Sequence, residues 1–203
     1  MKIAISVPVR DTVHASFAYC LANLTAQLIR NNIDYTLNFD HGSVIAGQRN
    51  NLVSNAIETK ASHILWLDSD MHFPSSIVSS LLRHEKDIVA CTYSTRYSPK
   101  RSVAFTDRMD LDQRLDKKFG LNEVFAVGMG CMLTKTSVFE KLPKPWFQYI
   151  WNEDREDLSG EDIYFCSQAI DYGYTVFVDS TVSNKVAHLG TKAFLINETN
   201  EFN

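Results

Sequence analysis

The sequence has few of the features that mark secreted, membrane-spanning or nucleic-acid-binding proteins. Its four cysteines form no CxxC pair and lie in apolar stretches, so we expect reduced core residues. No hydrophobic run approaches the ~20 residues of a membrane-spanning helix, and the opening strand lacks the pattern of a secretory signal. The net charge of −4 gives no general attraction to nucleic acid. These absences predict a cytoplasmic protein with no transmembrane segment and no nucleic-acid partner.

What remains is a composition typical of a globular domain. The chain has 203 residues, and 45% of them are hydrophobic. This is enough to build one sizeable core. Nothing in the sequence repeats, and no stretch has the composition of an interdomain linker, although the polar tail at residues 197–203 could be a free end or the start of a linker.

Strands and helices alternate along the first half of the chain. Apolar runs predict strands at residues 2–9, 33–39, 62–67 and 87–92, and helical spacing predicts helices after residue 9, at 47–59 and after 73–76. Such alternation is typical of an α/β fold, a parallel sheet with helices on both faces. Ligands of such sheets gather at the carboxyl ends of the strands, where Arg10, Asp40, Asp68 and Asp70 would lie.

The second half is less regular. Residues 93–120 contain the basic residues Arg96, Lys100 and Arg101 and predict an active-site loop or flap. A strand is predicted at 123–134, no long helix at 141–160, a helix at 161–172 that stops at Gly173, and a strand at 175–179.

Two aspartates, Asp68 and Asp70, follow the hydrophobic run at 63–67. Residues two apart on a strand point the same way, so both carboxylates can face one target. Carboxylates this close repel each other unless a cation, a proton or hydrogen-bond donors intervene, and oxygen ligands suit Mg²⁺ or Mn²⁺. The spacing favours a metal site at a strand end, and a polar turn into the next element fits the same residues.

Six short segments occur in an order that resembles the GT-A class of nucleotide-sugar-dependent glycosyltransferases, and in particular its small family-2-like bacterial and viral members. They are IAISVP at 3–8, QRN at 48–50, LWLDSD at 65–70, VGMGCML at 127–133, SGED at 159–162 and AHLG at 187–190. The resemblance implies a single GT-A (Rossmann-like) domain over residues 1–203, a mostly parallel sheet flanked by helices. Residues 1–92 would bind the nucleotide sugar, and residues 93–203 would form a smaller acceptor-side part.

By the same resemblance, the cofactor is Mn²⁺ or Mg²⁺. Asp70 would hold the metal at the donor diphosphate, Asp68 would contact the ribose or a metal-bound water, and His188 would complete the metal shell. An imidazole ligand favours Mn²⁺ over Mg²⁺. A hydrogen-bonded loop histidine is the alternative interpretation of His188.

The resemblance also makes Asp162 the catalytic base of an inverting transfer, with Glu161 orienting the acceptor. A carboxylate can take the proton of a sugar hydroxyl that lies within hydrogen-bond reach. Helix capping is the other interpretation of the pair, because Gly160, Glu161 and Asp162 open a helix. We expect the helix N-terminus to hold Asp162 ionised. A retaining mechanism is the alternative within the same class.

Residues expected to bind the nucleotide are Pro8, Arg10, Asp40, Arg49, Asp68 and Ser69, with UDP as the favoured carrier. Arg49 could instead pair with Asp68, and Arg10, Asp40 and Arg49 could each be surface or structural ion-pair residues. The acceptor is expected to be a glycan or glycoprotein, because no lipid-binding helix is visible. Aromatic faces stack on sugars. Of the aromatic residues at 146–151, Trp151 is expected to be exposed for this purpose, and at least two of the others are expected to be buried.

Two other classes fit parts of the pattern. A phosphatase of the haloacid-dehalogenase type also places two aspartates after a strand, but His72 stands where a threonine or valine is usual, and no downstream lysine is evident. A non-catalytic nucleotide-sugar or glycan-binding module would keep the fold without turnover. The chain could also be one domain of a longer polypeptide.

Overall fold

A computed structural model of the chain describes residues 1–153 and 156–190. The polar tail at 197–203 lies outside the described residues. The first half contains, in chain order, β1 (Lys2–Val9), α1 (Ala15–Arg30), β2 (Asp34–His41), α2 (Ile45–Glu58), β3 (His63–Leu67), β4 (Met71–His72), α3 (Ile77–Leu82) and β5 (Ile88–Ala90). Apart from β4, these are the elements that the sequence pattern predicts.

The second half is built from shorter pieces. They are β6 (Ala104–Phe105), β7 (Leu121–Val124), β8 (Ala126–Val127), β9 (Cys131–Lys135), α4 (Thr136–Lys141), β10 (Ile150–Asn152), β11 (Asp157–Ser159), α5 (Glu161–Asp171), β12 (Val176–Asp179), α6 (Ser180–Ser183) and β13 (Ala187–His188).

The central sheet has seven strands in the order β2-β1-β3-β9-β5-β12-β7. Strands β2, β1 and β3 are parallel, and so are β5 and β12. Strand β9 is antiparallel to both of its neighbours, and β7 is antiparallel to β12. The predicted α/β class with a mostly parallel sheet flanked by helices is confirmed.

Helices and loops bury both faces of this sheet. On one face, Trp66 packs against Phe147 with ring centroids 5.4 Å apart. On the other face, Ile5 and Leu65 belong to a second cluster that includes Phe17 of α1. Strands β1 and β3 therefore carry apolar residues on both sides, which is why they read as continuous hydrophobic runs.

The single strand predicted at 123–134 is wrong, because this segment forms β7, β8 and β9. The chain leaves the sheet around the Tyr93 side chain, whose hydroxyl accepts a hydrogen bond from the Gly130 N–H at 3.0 Å. A Cβ atom at Gly130 would lie 2.6 Å from that hydroxyl, so a larger residue would force the Tyr93 side chain to move. Strand β9 then starts at the carboxyl end of β3, where Cys131 pairs with Leu67.

Three small ribbons were not predicted, and one of them pairs β6 with β8. Strands β10 and β11 form an antiparallel hairpin just before α5, and β4 pairs with β13, the final described strand. The prediction for the cysteines is confirmed: Cys20, Cys91, Cys131 and Cys166 are free and buried. Within the two described ranges, no helix has both the length and the apolar character to cross a membrane.

Candidate active site

The two aspartates that follow β3 lie in a tight turn. The N–H of Met71 donates to the carbonyl oxygen of Asp68 at 3.1 Å, which closes the turn. The expectation that alternation along a strand aligns the two carboxylates is therefore wrong, because β3 ends at Leu67. The metal site and the polar turn, the two interpretations of the motif, are compatible with each other, because the turn places both acidic side chains in one cleft.

The ribbon of β4 and β13 brings His188 to Asp70. In this ribbon His188 pairs with Met71, and the Leu189 N–H donates to the Asp70 carbonyl oxygen at 2.7 Å. As a result, His188 Nε2 lies 3.3 Å from Asp70 Oδ2. Burial raises the pKa of Asp70, but the hydrogen bond and charge of His188, together with the charge of Arg96, outweigh burial and lower that pKa below its usual value.

Asp70 and His188 fit a divalent cation as a partial ligand set. In residues 1–153 and 156–190, no three His, Cys, Asp or Glu side chains converge as a metal cluster. A carboxylate oxygen and an imidazole nitrogen are nevertheless adjacent, and cations of this class often take one or two protein ligands and complete their shell with phosphate and water. The Asp70 oxygen already contacts one cation, because Arg96 Nη1 lies 2.8 Å from Oδ2.

Asp68 belongs to a different network, centred on Arg49. The Arg49 side chain is only 2% exposed, and it donates through Nη2 to Asp68 Oδ1 and through Nε to Glu161 Oε1, both at 3.0 Å. Burial would lower the pKa of Arg49, but the charges of Asp68 and Glu161 outweigh it and raise that pKa. Of the two interpretations of Arg49, the structure shows the ion pair with Asp68.

Glu161 is held inside this network, which differs from the predicted acceptor-orienting role. Its side chain is 10% exposed and accepts from Arg49. The two carboxylates flank one guanidinium, so α2 and α5 are tied to the turn that follows β3.

Asp162 stands beside Glu161 in the first turn of α5 and is partly buried. Its Oδ1 atom accepts from the Ile163 N–H at 2.8 Å, and a Cβ atom at Gly160 would lie 2.6 Å from that oxygen. Burial and then the charge of Glu161 raise the pKa of Asp162 to about 6. Burial and the Glu161 charge therefore outweigh the effect of the helix N-terminus on this pKa.

Most of the residues expected at the nucleotide meet in one cleft of about 380 Å³. The members of the expected set that line it are Pro8, Arg10, Asp68 and Ser69, joined by Asp70 and His188. Arg49 lies beneath it through its bond to Asp68. Asp40 is placed next to Pro8 in the sheet but does not line the cleft.

Among the cleft residues that sequence reasoning did not assign, Gln48 and Arg96 make side-chain hydrogen bonds at the site. Gln48 is 7% exposed, and its amide donates to the carbonyl oxygens of Val9, at 2.8 Å, and Asp40, so it fastens α2 to the ends of β1 and β2. Arg96 was noted only as part of a basic loop. The signal for Gln48 was its place beside Arg49 at the helix start, but nothing local marked Arg96 as the partner of Asp70.

The aromatic residues before Asp162 divide as expected. Trp146 and Phe147 are 3% and 1% exposed and belong to the core, whereas Trp151 is 58% exposed on the hairpin of β10 and β11. Tyr149 is 41% exposed as well. The hairpin therefore presents aromatic surface immediately before α5.

Two solved structures have a fold similar to that of this chain. A197 from STIV is 17% identical with a TM-score of 0.60, and the match covers 98% of this chain and 100% of that one. A Drosophila beta-1,4-galactosyltransferase 7 mutant, in complex with manganese, UDP-Gal and xylobiose, is 16% identical with a TM-score of 0.54, and the match covers 94% and 71% of the two chains. The fold is thus one that a GT-A-like glycosyltransferase adopts.

Comparison with curated proteins gives no significant match. The sequence pattern of one family does match, over residues 34–145. This stretch runs from the start of β2 to just beyond α4, includes Arg49, Asp68, Asp70 and Arg96, and amounts to more than half of the chain. The protein is therefore a member of the Anp1 family.

Proposed function

We propose that the protein is a metal-dependent, inverting glycosyltransferase that moves a sugar from a nucleotide-diphosphate sugar, with UDP favoured, to a hydroxyl of a glycan or glycoprotein. Residues 1–92 would provide the nucleotide side and residues 93–203 the acceptor side. Family membership and the fold shared with a galactosyltransferase support the reaction class.

The observation that carries the proposal is the buried bridge through Arg49. This one guanidinium binds Asp68, in the turn that carries Asp70, and Glu161, the neighbour of Asp162. The groups assigned to the leaving diphosphate and to the attacking hydroxyl are thus fixed relative to each other. Positioned catalytic groups convert binding into a favourable reaction geometry.

On the donor side, Asp70 Oδ2 and His188 Nε2 would hold the cation, which when bound neutralises the departing diphosphate. Pro8, Arg10 and Ser69 line the cleft assigned to the nucleotide. Asp68 would contact the ribose or a metal-bound water with the oxygen that Arg49 does not bind. Asp40, at the end of β2, would meet the edge of the nucleoside.

On the acceptor side, Asp162 would take the proton of the attacking hydroxyl. One of its oxygens accepts from the Ile163 N–H, which leaves the other for the acceptor. With a pKa of about 6, Asp162 is mostly ionised at neutral pH and still more basic than an ordinary aspartate. Trp151 offers a ring face for an acceptor sugar, and the attack from the side opposite the diphosphate inverts the anomeric carbon.

The test is a panel of UDP-, GDP- and TDP-sugars with Mn²⁺, Mg²⁺ or EDTA, with release of the nucleoside diphosphate as the readout. We expect release to need metal, Asp70 and Asp162, and Asp162→Asn to reduce it by about 10²- to 10⁴-fold while donor binding persists. The matched control is Asp116→Asn at an exposed aspartate. NMR of the product would show an inverted anomeric carbon.

Four outcomes would contradict parts of this proposal. Absence of both release and thermal-shift binding across the panel would exclude the glycosyltransferase. Binding of a nucleotide sugar without release of the nucleoside diphosphate, whichever acceptor is supplied, would favour a non-catalytic module. Full activity in Asp162→Asn would remove the assigned base, and a retained anomeric configuration would remove the inverting mechanism.

A further inference from the structure

Arg96 occupies the position of a counter-ion at Asp70. Its Nη1 atom lies 2.8 Å from Asp70 Oδ2 and 3.2 Å from the carbonyl oxygen of Leu189. His188 Nε2 approaches the same Oδ2 atom, at 3.3 Å. The oxygen assigned to a divalent cation is therefore already shared between a guanidinium and an imidazole. A metal ion and Arg96 cannot both neutralise it at contact distance, because like charges repel strongly at such separations.

A second cavity begins on the other side of Arg96. It has a volume of about 740 Å³, and both Arg96 and His188 line it as well as the nucleotide cleft. Its wall also includes Lys100, Ser94 and Thr95, and its described lining includes no carboxylate. Lys100 is exposed and has no ion-pair partner in the part of the chain that the structure describes. Two cations in a wall without a carboxylate are suited to a phosphate-bearing anion.

We propose that Arg96 and Lys100 form a diphosphate site beside Asp70, and that this site becomes available when a divalent cation displaces Arg96 from the Asp70 carboxylate. The inference rests on the proposed function, because it takes Asp70 as a ligand of the cation. It adds Arg96 and Lys100 to the residues of the proposed site, and it gives the basic loop after β5 a role in binding the diphosphate.

Binding of the divalent cation and binding of the diphosphate are coupled as a consequence. A cation alone competes with Arg96 for Asp70, and the displaced guanidinium gains no new partner. When a diphosphate is present, the guanidinium can bind it, so each ligand favours the other by the same factor. The protein would thus favour the joint binding of metal and nucleotide over metal alone.

The experiment is a Mn²⁺ titration of the whole chain, followed by electron paramagnetic resonance of free Mn²⁺, without nucleotide and with saturating UDP. The variants are Arg96→Met and Lys100→Met, which keep the aliphatic stem. The matched control is Arg101→Met in the same loop: Arg101 is 47% exposed and pairs with Asp112, while Arg96 is 52% exposed. Thermal unfolding of every variant verifies that it is folded.

We expect Arg96→Met to bind Mn²⁺ alone about two- to fivefold more tightly than the wild type, the range set by a half-exposed ion pair. The gain in Mn²⁺ affinity on adding UDP should shrink in the same variant. Lys100→Met should leave the affinity for Mn²⁺ alone unchanged and also reduce the gain from UDP. Arg101→Met should match the wild type, and uridine, which lacks phosphate, should give no gain.

The Asp70→Asn variant separates this inference from the proposed function. If Asp70→Asn binds Mn²⁺ as the wild type does, the metal site of the proposed function is wrong. If Asp70→Asn loses Mn²⁺ but Arg96→Met binds Mn²⁺ no more tightly than the wild type, the proposed function stands and the displacement of Arg96 is refuted. An undiminished gain from UDP in both Arg96→Met and Lys100→Met would refute the diphosphate site.

Discussion

Replacing Asp162 with asparagine tests whether the surroundings of this side chain destabilise its ionised form. Its pKa is raised from 3.8 to about 6, first by burial and then by the charge of Glu161. The native protein therefore binds the Asp162 proton more tightly than the unfolded chain does. Between about pH 4 and pH 6 the native state holds more protons, so the free energy of unfolding falls as the pH rises.

The size of the effect follows from the shift. A difference of about 2.2 pKa units corresponds to about 3 kcal/mol at 1.36 kcal/mol per unit, and this is the upper limit of the loss when Asp162 is ionised in both states. Asparagine cannot ionise, and its side-chain oxygen can still accept from the Ile163 N–H. We expect Asp162→Asn to be about 2–3 kcal/mol more stable than the wild type at about pH 7.5, and only about 1 kcal/mol more stable at about pH 4.5.

Urea unfolding of the metal-free protein at these two pH values measures the difference. Asp116→Asn makes the same chemical change at an exposed position, so its free energy of unfolding should stay within about 0.5 kcal/mol of the wild type at both pH values. An Asp162→Asn variant that is no more stable than the wild type at pH 7.5, or that gains equally at both pH values, would refute the reasoning. Catalysis should show the same ionisation: kcat/KM should fall as the pH decreases through about 6.

Two further substitutions test the rest of the site. Arg49→Met should lower the free energy of unfolding by about 3–5 kcal/mol, because it leaves Asp68 and Glu161 without their shared cation; a loss below about 1 kcal/mol in urea unfolding would contradict the bridge. Trp151→Ala, at an exposed position, should change stability by less than about 0.5 kcal/mol and raise the acceptor KM by about two- to tenfold. An effect of Trp151→Ala on the donor KM instead would remove it from the acceptor side.

The first half of the fold was predictable because its signals are local. Strands β1 and β3 are buried on both faces, so each is a continuous apolar run. In α1 the buried residues Phe17, Leu21, Leu24 and Leu28 recur at helical spacing. In these segments the hydrophobic pattern and the tertiary environment agree, and the predicted elements match the observed ones closely.

The second half was less predictable because its strands depend on distant partners. Strand β13 has two residues and exists because it pairs with β4, far earlier in the chain. The hairpin of β10 and β11 carries largely exposed residues and shows little apolar alternation. Strand propensity reflects the environment that a segment meets, so such short pieces carry weak local signals.

The pairings of Asp70 with His188 and of Arg49 with Asp68 could be anticipated, but the contacts of Arg49 with Glu161 and of Arg96 with Asp70 could not. Arg49 and Glu161 lie 112 residues apart in the sequence. Arg96 reaches Asp70 from a loop with no regular pattern. An arginine in a helix or loop has the same local signature whether it is solvated or forms the central ion pair of a site.

Asp162 shows why the pKa of this residue could not be derived from its place at a helix N-terminus alone. A helix N-terminus favours a negative charge, and this alone would lower the pKa of both acidic residues in the first turn of α5. In the described chain, however, Arg49 donates to Glu161 and Asp68, while Asp162 receives the Ile163 N–H. At Asp162, burial together with the adjacent Glu161 charge outweighs the Ile163 N–H and the charge of Arg49, and the pKa rises. A buried carboxylate that lies beside a second carboxylate and outside its ion pair becomes more basic than an ordinary aspartate, as a proton acceptor near neutral pH requires.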